Sequence, residues 1–336
     1  MKSPQTSLEK NHFPVMLKEV IDICSPKNGG SFLDCTFGGG GYVNELLKFP
    51  KTNLIAIDRD TNVIETADNL KKKFKNRFNF HNIKFSDIDS VIDRSLDAII
   101  FDLGISSIQL DDMTRGFSFK SNCELNMSMG LSPFSAKEVV NNYSYETLKK
   151  IIKIFGEDKD AAKIAKNIIL ERNKSLIIKT DRLVDIIKKS KKKDFKRKID
   201  ISTKTFQAIR IFVNKEISEL VEGMIKATEL LKPGGKLIFL SFHSIEDKII
   251  KFYFKNFSSN RSRQNKYIPE INNTKLSLFE PYRNKVHKAS IKEMALNPRS
   301  RSAKLRYAVR NENKFNDPEE LRNKFKKYID LEKEND

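Results

Sequence analysis

Two short runs hold the residues best placed to do chemistry. Asp34-Cys35-Thr36-Phe37-Gly38-Gly39-Gly40-Gly41-Tyr42 joins an apolar stretch to a glycine turn, and Ile55-Ala56-Ile57-Asp58-Arg59-Asp60 ends a second apolar stretch on acids. Glycines let a backbone approach a ligand closely, and an acid at a strand end accepts hydrogen bonds from both hydroxyls of a ribose. A nucleotide-like ligand is the preferred reading, with a purely structural turn as its competitor. The dinucleotide fingerprint fits poorly, because Val43 stands where its third glycine would fall. A third acid, Asp102, follows the continuously apolar Ala98-Ile99-Ile100-Phe101 and precedes Leu103-Gly104-Ile105-Ser106-Ser107. In open α/β sheets, ligands bind at the carboxyl ends of the strands, where all these acids fall.

Such residues need a scaffold of alternating strands and helices. Strands are predicted over 31–35, 53–58, 78–83 and 96–102, with helices beginning near Tyr42 and Thr61. That alternation implies a parallel sheet with right-handed crossovers. From about 111 to 201 the strand signal fades and helices are predicted over 158–173 and 180–190. Eight of the eleven residues 188–198 are basic, a solvated tract that serves either as an exposed loop or as a nucleic-acid contact. One long helix is expected over 203–231. Its core face is Phe206, Ile209, Val213, Ile217 and Leu220, and Gln207, Arg210 and Asn214 form a polar stripe beside it. Pro233-Gly234-Gly235 should stop that helix before a strand over 236–242, and Ser244-Ile245-Glu246-Asp247 reads as the cap of a helix running to Phe257. The fold class is therefore α/β. A sheet domain is split over 1–110 and 204–310, and an all-α domain is inserted over 111–203. The charged tail 311–336 reads as a frayed helix or disordered chain.

The 336 residues include 39% hydrophobic residues with 24 Phe, enough for a folded core. The net charge of +19 favours a polyanionic partner, nucleic acid first, against a merely lysine-rich composition. Cys24, Cys35 and Cys123 form no C-x-x-C pair, so neither a disulfide nor a zinc framework is expected. No apolar run is long enough to span a membrane, and a soluble cytoplasmic protein is the expectation.

The D-x-T-x-G-x-G-G turn resembles that of class I S-adenosylmethionine (SAM) methyltransferases, whose ligand has no pyrophosphate. Further segments occur in one order along the chain: His12-Phe13-Pro14-Val15-Met16-Leu17, the glycine turn, the run from Asp102 to Leu110, and Arg115-Gly116-Phe117-Ser118-Phe119. Thr205-Phe206-Gln207-Ala208-Ile209-Arg210-Ile211, Ser241-Phe242-His243-Ser244-Ile245-Glu246-Asp247 and the basic run from Asn297 to Arg306 complete the set. Together they resemble the bacterial ribosomal RNA small subunit methyltransferase H family, which N4-methylates a cytidine of the decoding centre. The resemblance implies a SAM cofactor contacted by Gly40, Gly41 and Tyr42, with Asp58 on the ribose and Phe85 by the adenine. Asp102 and Gln109 would close the site near the methionine end, and small ribosomal subunits with their 16S rRNA would be the partner. The oligomeric state, monomer or homodimer, stays open.

The amides of Gly40 and Gly41, at a helix N-terminus, suit the cofactor's carboxylate. The reaction needs in-line positioning and an acceptor for an amino proton, with neither a protein nucleophile nor a metal. Asp102 is the first candidate acceptor. Three other features carry two readings each. Phe117 and Phe119 could stack a base or fill the core. His243 is a general base or a structural histidine, and Arg299, Arg301, Lys304 and Arg306 meet phosphates or solvent. Asn126 and Ser128 stand where the family has an acid and an arginine, and Tyr42 stands for its usual histidine. Two alternatives stay in view: an amino-methyltransferase acting on another RNA or DNA, and, kept open by Asn126 and Ser128, a degenerate RNA-binding assembly factor.

Overall fold

The computed structural model describes residues 14–93, 95–132, 134–191, 200–259 and 276–334. His12 and Phe13 of the first motif, and 192–198 of the basic tract, lie outside them. Among the described residues there are seven strands: β1 (Gly30–Asp34), β2 (Thr52–Ile57), β3 (Phe78–His81), β4 (Leu96–Asp102), β5 (Leu231–Ser241), β6 (His287–Lys288) and β7 (Lys304–Val309). They form one sheet in the order β3-β2-β1-β4-β5-β7-β6, parallel from β3 to β5, with β7 antiparallel to β5. Alternation along β4 divides its side chains between two cores. Ala98 and Ile100 join Phe32 and Leu54 beneath α1 (Leu17–Cys24), α2 (Gly41–Leu46) and α3 (Ile64–Phe74). Ile99 and Phe101 join Leu33, Leu237 and Phe239 on the other face. A sheet covered on both faces explains why β4 reads as an unbroken apolar run.

After α4 (Ser107–Asp111) the chain builds α5 (Ala136–Asn142), α6 (Tyr145–Ile154), α7 (Ala161–Arg172) and α8 (Thr180–Ser190). Lys191, first residue after α8, is not solvated: its Nζ lies 2.5 Å from Asp158 in a buried ion pair and also donates to the Ile201 carbonyl at 2.7 Å. The expected single helix over 203–231 is two, α9 (Thr203–Asn214) and α10 (Glu216–Glu229). Lys215 breaks it with a left-handed backbone, φ +50°. There the chain changes layers: α9 packs on α5 and α6, whereas α10 packs on β5 and the 3₁₀ turn Phe85–Ser90. The apolar spacing runs through both helices, so periodicity alone could not show the break.

Pro233-Gly234-Gly235 lies inside β5 and does not precede it. The register against β4 shifts between Leu96 and Ala98, and Gly234, at φ +79°, donates to the Arg310 carbonyl. The triplet is thus a bulge near a strand start, a common place for strand proline and glycine. The next helix, α11 (Ser244–Asn256), is capped by His243 rather than Ser244. The His243 imidazole accepts the Glu246 N–H, and the Glu246 carboxylate accepts the Phe242 N–H at 2.8 Å. Ser244 instead donates to Glu157 at 2.5 Å.

Beyond α12 (Ile291–Leu296), the charged tail contains a packed helix, α13 (Glu319–Lys333), and is neither frayed nor disordered there. Leu321, Phe325, Tyr328 and Leu331 are buried along one face, with Phe325 edge-on to Phe252 at 5.4 Å. Each such side chain contributes roughly 1.5–3 kcal/mol of burial before ordering costs.

Candidate active site

Asp34 and Asp102 end neighbouring parallel strands, β1 and β4, and this places two carboxylates close together in a buried setting. Asp34 is fully buried. Its Oδ1 accepts the Thr36 N–H at 3.0 Å, while its Oδ2 has no partner. The Thr36 hydroxyl accepts the Asp102 N–H at 2.7 Å, tying the two strand ends together. Asp102 Oδ1 is also buried without a partner, and its Oδ2 lies 3.3 Å from the Tyr42 hydroxyl. Desolvation first, then the proximity of Asp34, pushes the Asp102 carboxyl up to about 8. Asp34 is likewise raised to about 7 by burial. Tyr42 gives its one hydroxyl proton to the Val15 carbonyl at 2.5 Å, so a protonated Asp102 can donate to the Tyr42 oxygen. Burial thus raises both carboxyls at the ends of β1 and β4.

Asp58, just past β2, holds the glycine turn in place. Its Oδ2 accepts the Gly38 N–H at 2.8 Å and its Oδ1 the Asp60 N–H at 2.9 Å. Burial raises the carboxyl to about 6, and those amides oppose the rise. Gly40, at φ +72°, already donates its N–H to the Phe37 carbonyl at 2.7 Å, so that amide is spent within the turn. Glycine is required at 41 by the chain itself, since a Cβ there would meet Pro14 Cγ at 2.1 Å. Phe85, edge-on to Phe101 at 5.2 Å, lines a cleft with Thr36, Leu103 and Gly104 at the strand ends. Glu216, Glu219 and Leu220, at the start of α10, line the same cleft.

Gln109 turns away from this cleft. It caps α4, its Oε1 accepting the Ser106 N–H, and its Nε2 donates to Asp60 Oδ2 at 2.7 Å. Arg115 meets the same Asp60 oxygen at 2.5 Å and donates to the Ser128 carbonyl at 2.9 Å. Asp60, Gln109 and Arg115 therefore lock the end of β2 to the chain around Ser128.

A profile of the MraW methylase family matches residues 9–311. The chain is 40% identical over 302 residues to the ribosomal RNA small subunit methyltransferase H of Ehrlichia ruminantium strain Welgevonden, covering 88% of this chain and 98% of that one. It is 41% identical over 307 residues to the protein of that name from Rickettsia prowazekii, covering 90% of this chain and 99% of the relative. The chain belongs to the MraW methylase family. An rRNA methylase of known structure from Streptococcus thermophilus, 9% identical over 88% of this chain and 95% of its own, has a TM-score of 0.39, too distant to bear on the chemistry. The strand order and the antiparallel β7 are those of a class I methyltransferase, and SAM is the methyl donor.

The other motifs resolve individually. Phe117 is buried in the core beneath the Arg115 guanidinium, and Phe119 packs edge-on to Phe206. Neither lies on a strand. Arg306 is buried and bound to Asp247 at 2.8 Å, which also takes Lys304 at 2.9 Å. Arg299 pairs with Asp111 at 2.5 Å, and Arg301 is exposed. Asn126 is exposed and its Oδ1 accepts the Ser128 N–H at 2.8 Å, a local turn contact. Asn214 of the polar stripe is fully buried and holds the same turn, accepting from the Met129 N–H and donating to the Met127 carbonyl, each at 2.8 Å.

Sequence reasoning missed the acids facing the strand ends. Arg210 clasps Glu216 through both carboxylate oxygens, at 2.7 and 2.8 Å, and Glu246 lies beside His243 at 3.0 Å. Among the described residues, Glu216, His243 and Glu246 are the group that could offer ligand atoms to a metal, all within 4.8 Å of one another. In this arrangement Glu216 is held by Arg210 and Glu246 by the cap of α11, while His243 Nε2 is buried without a hydrogen-bond partner. No helix among the described residues is long and apolar enough to cross a membrane.

Proposed function

We propose that the protein N4-methylates a cytidine in the decoding region of 16S rRNA, with Asp102 as acceptor of the amino proton. The observation that carries this reading is the half-buried Asp102 at the end of β4, its carboxyl raised to about 8 and its Oδ1 buried without a partner. Bound SAM supplies an electrophilic methyl group on a sulfonium. The remaining work falls to the chain. Asp34 and Asp102 carry orphaned acceptor oxygens that suit the cofactor's ammonium. Asp58, held by two amides, keeps lone pairs for ribose hydroxyls. The Phe85 ring offers an apolar wall for adenine.

A cytosine amino group is a poor nucleophile because its lone pair is delocalised into the ring. An anionic Asp102 accepting an amino hydrogen restores that lone pair in line with the methyl. A nearby cation would favour its charged form and lower that raised value, leaving an anion able to accept the amino hydrogen. The net charge of +19 suits an RNA partner. In this reading the helices of 111–203 hold the RNA over the cleft, in the cytoplasm. The curated relatives bear the name of small-subunit rRNA methyltransferases, which supports that substrate. The test is transfer of labelled methyl from SAM to unmodified small subunits, naked 16S rRNA and DNA in parallel. Label in ribosomal RNA alone is expected; label confined to DNA would overturn the proposal.

A further inference from the structure

Glu332 is an acidic residue on the buried face of α13, with no exposed surface; burial pushes its carboxyl up to about 8, against the hydrogen bonds it accepts from Ser218 and Ile217. Its partners lie on another element. Oε1 accepts the Ile217 N–H at 3.0 Å, Oε2 accepts the Ser218 N–H at 2.7 Å, and the Ser218 hydroxyl donates to Oε2 as well. These groups open α10, whose first residue follows the left-handed Lys215, and Lys215 supplies no side-chain cap. Helix N-termini leave amides unsatisfied and favour a negative charge. Glu332 thus caps α10 from 114 and 115 residues away in sequence.

The start of α10 that it caps bears Glu216, Glu219 and Leu220, which line the cleft together with Phe85, Thr36, Leu103 and Gly104. The same helix also reaches the helices of the insertion. Tyr143 and Thr147 both donate to Glu334, and Tyr328 lies 6.1 Å from Phe155. On the sheet side, Arg322 clasps Glu222 of α10 at 2.6 and 2.7 Å. This helix lies beyond residue 311, where the family match ends.

We infer that α13 is a brace for the cofactor cleft and that Glu332 is its positioning residue, fixing the first turn of α10 against the strand ends. The inference rests on the reading of that cleft as the SAM site. A brace of this kind acts on cofactor affinity more than on the chemical step, because the turn it holds carries Glu216, Glu219 and Leu220 into the cleft lining and does not carry the proposed proton acceptor.

The test compares Glu332→Gln with Arg322→Ala in the full chain, measuring SAM affinity by calorimetry, KM for SAM, kcat and melting temperature. Gln keeps the shape but places an N–H₂ against donors. Glu332→Gln is expected to weaken SAM binding and raise KM roughly three- to tenfold, the scale of a lost helix cap, with little change in kcat. Arg322→Ala removes an α13 tether without touching the cap, and should lower the melting temperature with SAM affinity intact. A Glu332→Gln protein that melts lower yet binds SAM like wild type would overturn the inference. Should that variant fail to fold, Ser218→Ala, which deletes one donor, decides by the same readout: unchanged SAM affinity counts against the brace. Asp58→Ala, measured alongside, separates the two levels. If it leaves affinity unchanged, the reading of the cleft falls and the brace with it; if it weakens binding while Glu332→Gln does not, the brace alone falls.

Discussion

Replacing Asp102 by Asn should make the protein more stable and nearly inactive. Asn keeps the shape of the side chain but cannot ionise. The wild-type carboxyl titrates at about 8 in the fold, against an ordinary value of 3.8. At ~1.4 kcal/mol per pH unit, that displacement costs the fold about 4 kcal/mol at pH 7. Water entering the cleft reduces the measurable gain to about 1–3 kcal/mol. Between pH 4 and pH 8 the folded protein holds a proton that the unfolded chain has released. Wild-type stability therefore falls as pH rises through that window, and the Asn variant is spared this loss. Melting curves at pH 4.5, 7 and 9 should show the variant's advantage small at the lowest pH and full at the highest. The same change should slow methyl transfer by about 10²- to 10⁴-fold, the usual share of a general base. A variant that melts below wild type at every pH, or an advantage independent of pH, would refute the argument about this buried carboxyl.

Asp58→Ala should weaken SAM binding about 10- to 100-fold, the scale of charged hydrogen bonds to two hydroxyls; near-unchanged calorimetric affinity would remove Asp58 from the ribose. Arg115→Ala leaves the buried Asp60 with Gln109 and Asn62 alone and should cost about 3 kcal/mol in urea unfolding; a loss below about 1 kcal/mol would mean that solvent screens this pair. RNA affinity should fall steeply with salt, with a log–log slope of about −0.9 per duplex phosphate neutralised. Binding that is flat between low and moderate salt would reduce the positive charge to composition.

The core of the sheet was legible because β1, β2 and β4 are short apolar runs leading to acids, and the pairing of β1 with β4 then brings Asp34 near Asp102. What stayed hidden was set by single residues or by distant ones. Lys215 splits α9 from α10 through one left-handed backbone angle that the apolar spacing crosses unchanged. His243 displaces Ser244 as a cap because the imidazole Nδ1 faces the Glu246 amide, an arrangement composition does not announce. Gln109 belongs to a network with Asp60 and Arg115 that only the packed fold assembles. In α13 the apolar spacing of Leu321, Phe325, Tyr328 and Leu331 was present but masked by the surrounding Lys and Glu. Its Glu332 looks like one more surface acid until the amides of α10 are placed against it.

The most direct test of the central claim is the chemical identity of the product. Small subunits lacking the modification are incubated with SAM and either wild-type or Asp102→Asn protein, and the rRNA is digested to nucleosides for mass spectrometry. N4-methylcytidine is expected with wild type and its near absence with Asp102→Asn, even at SAM concentrations that saturate the variant. Methylation at another atom, or N4-methylcytidine formed equally well by the Asn variant, would contradict the claim.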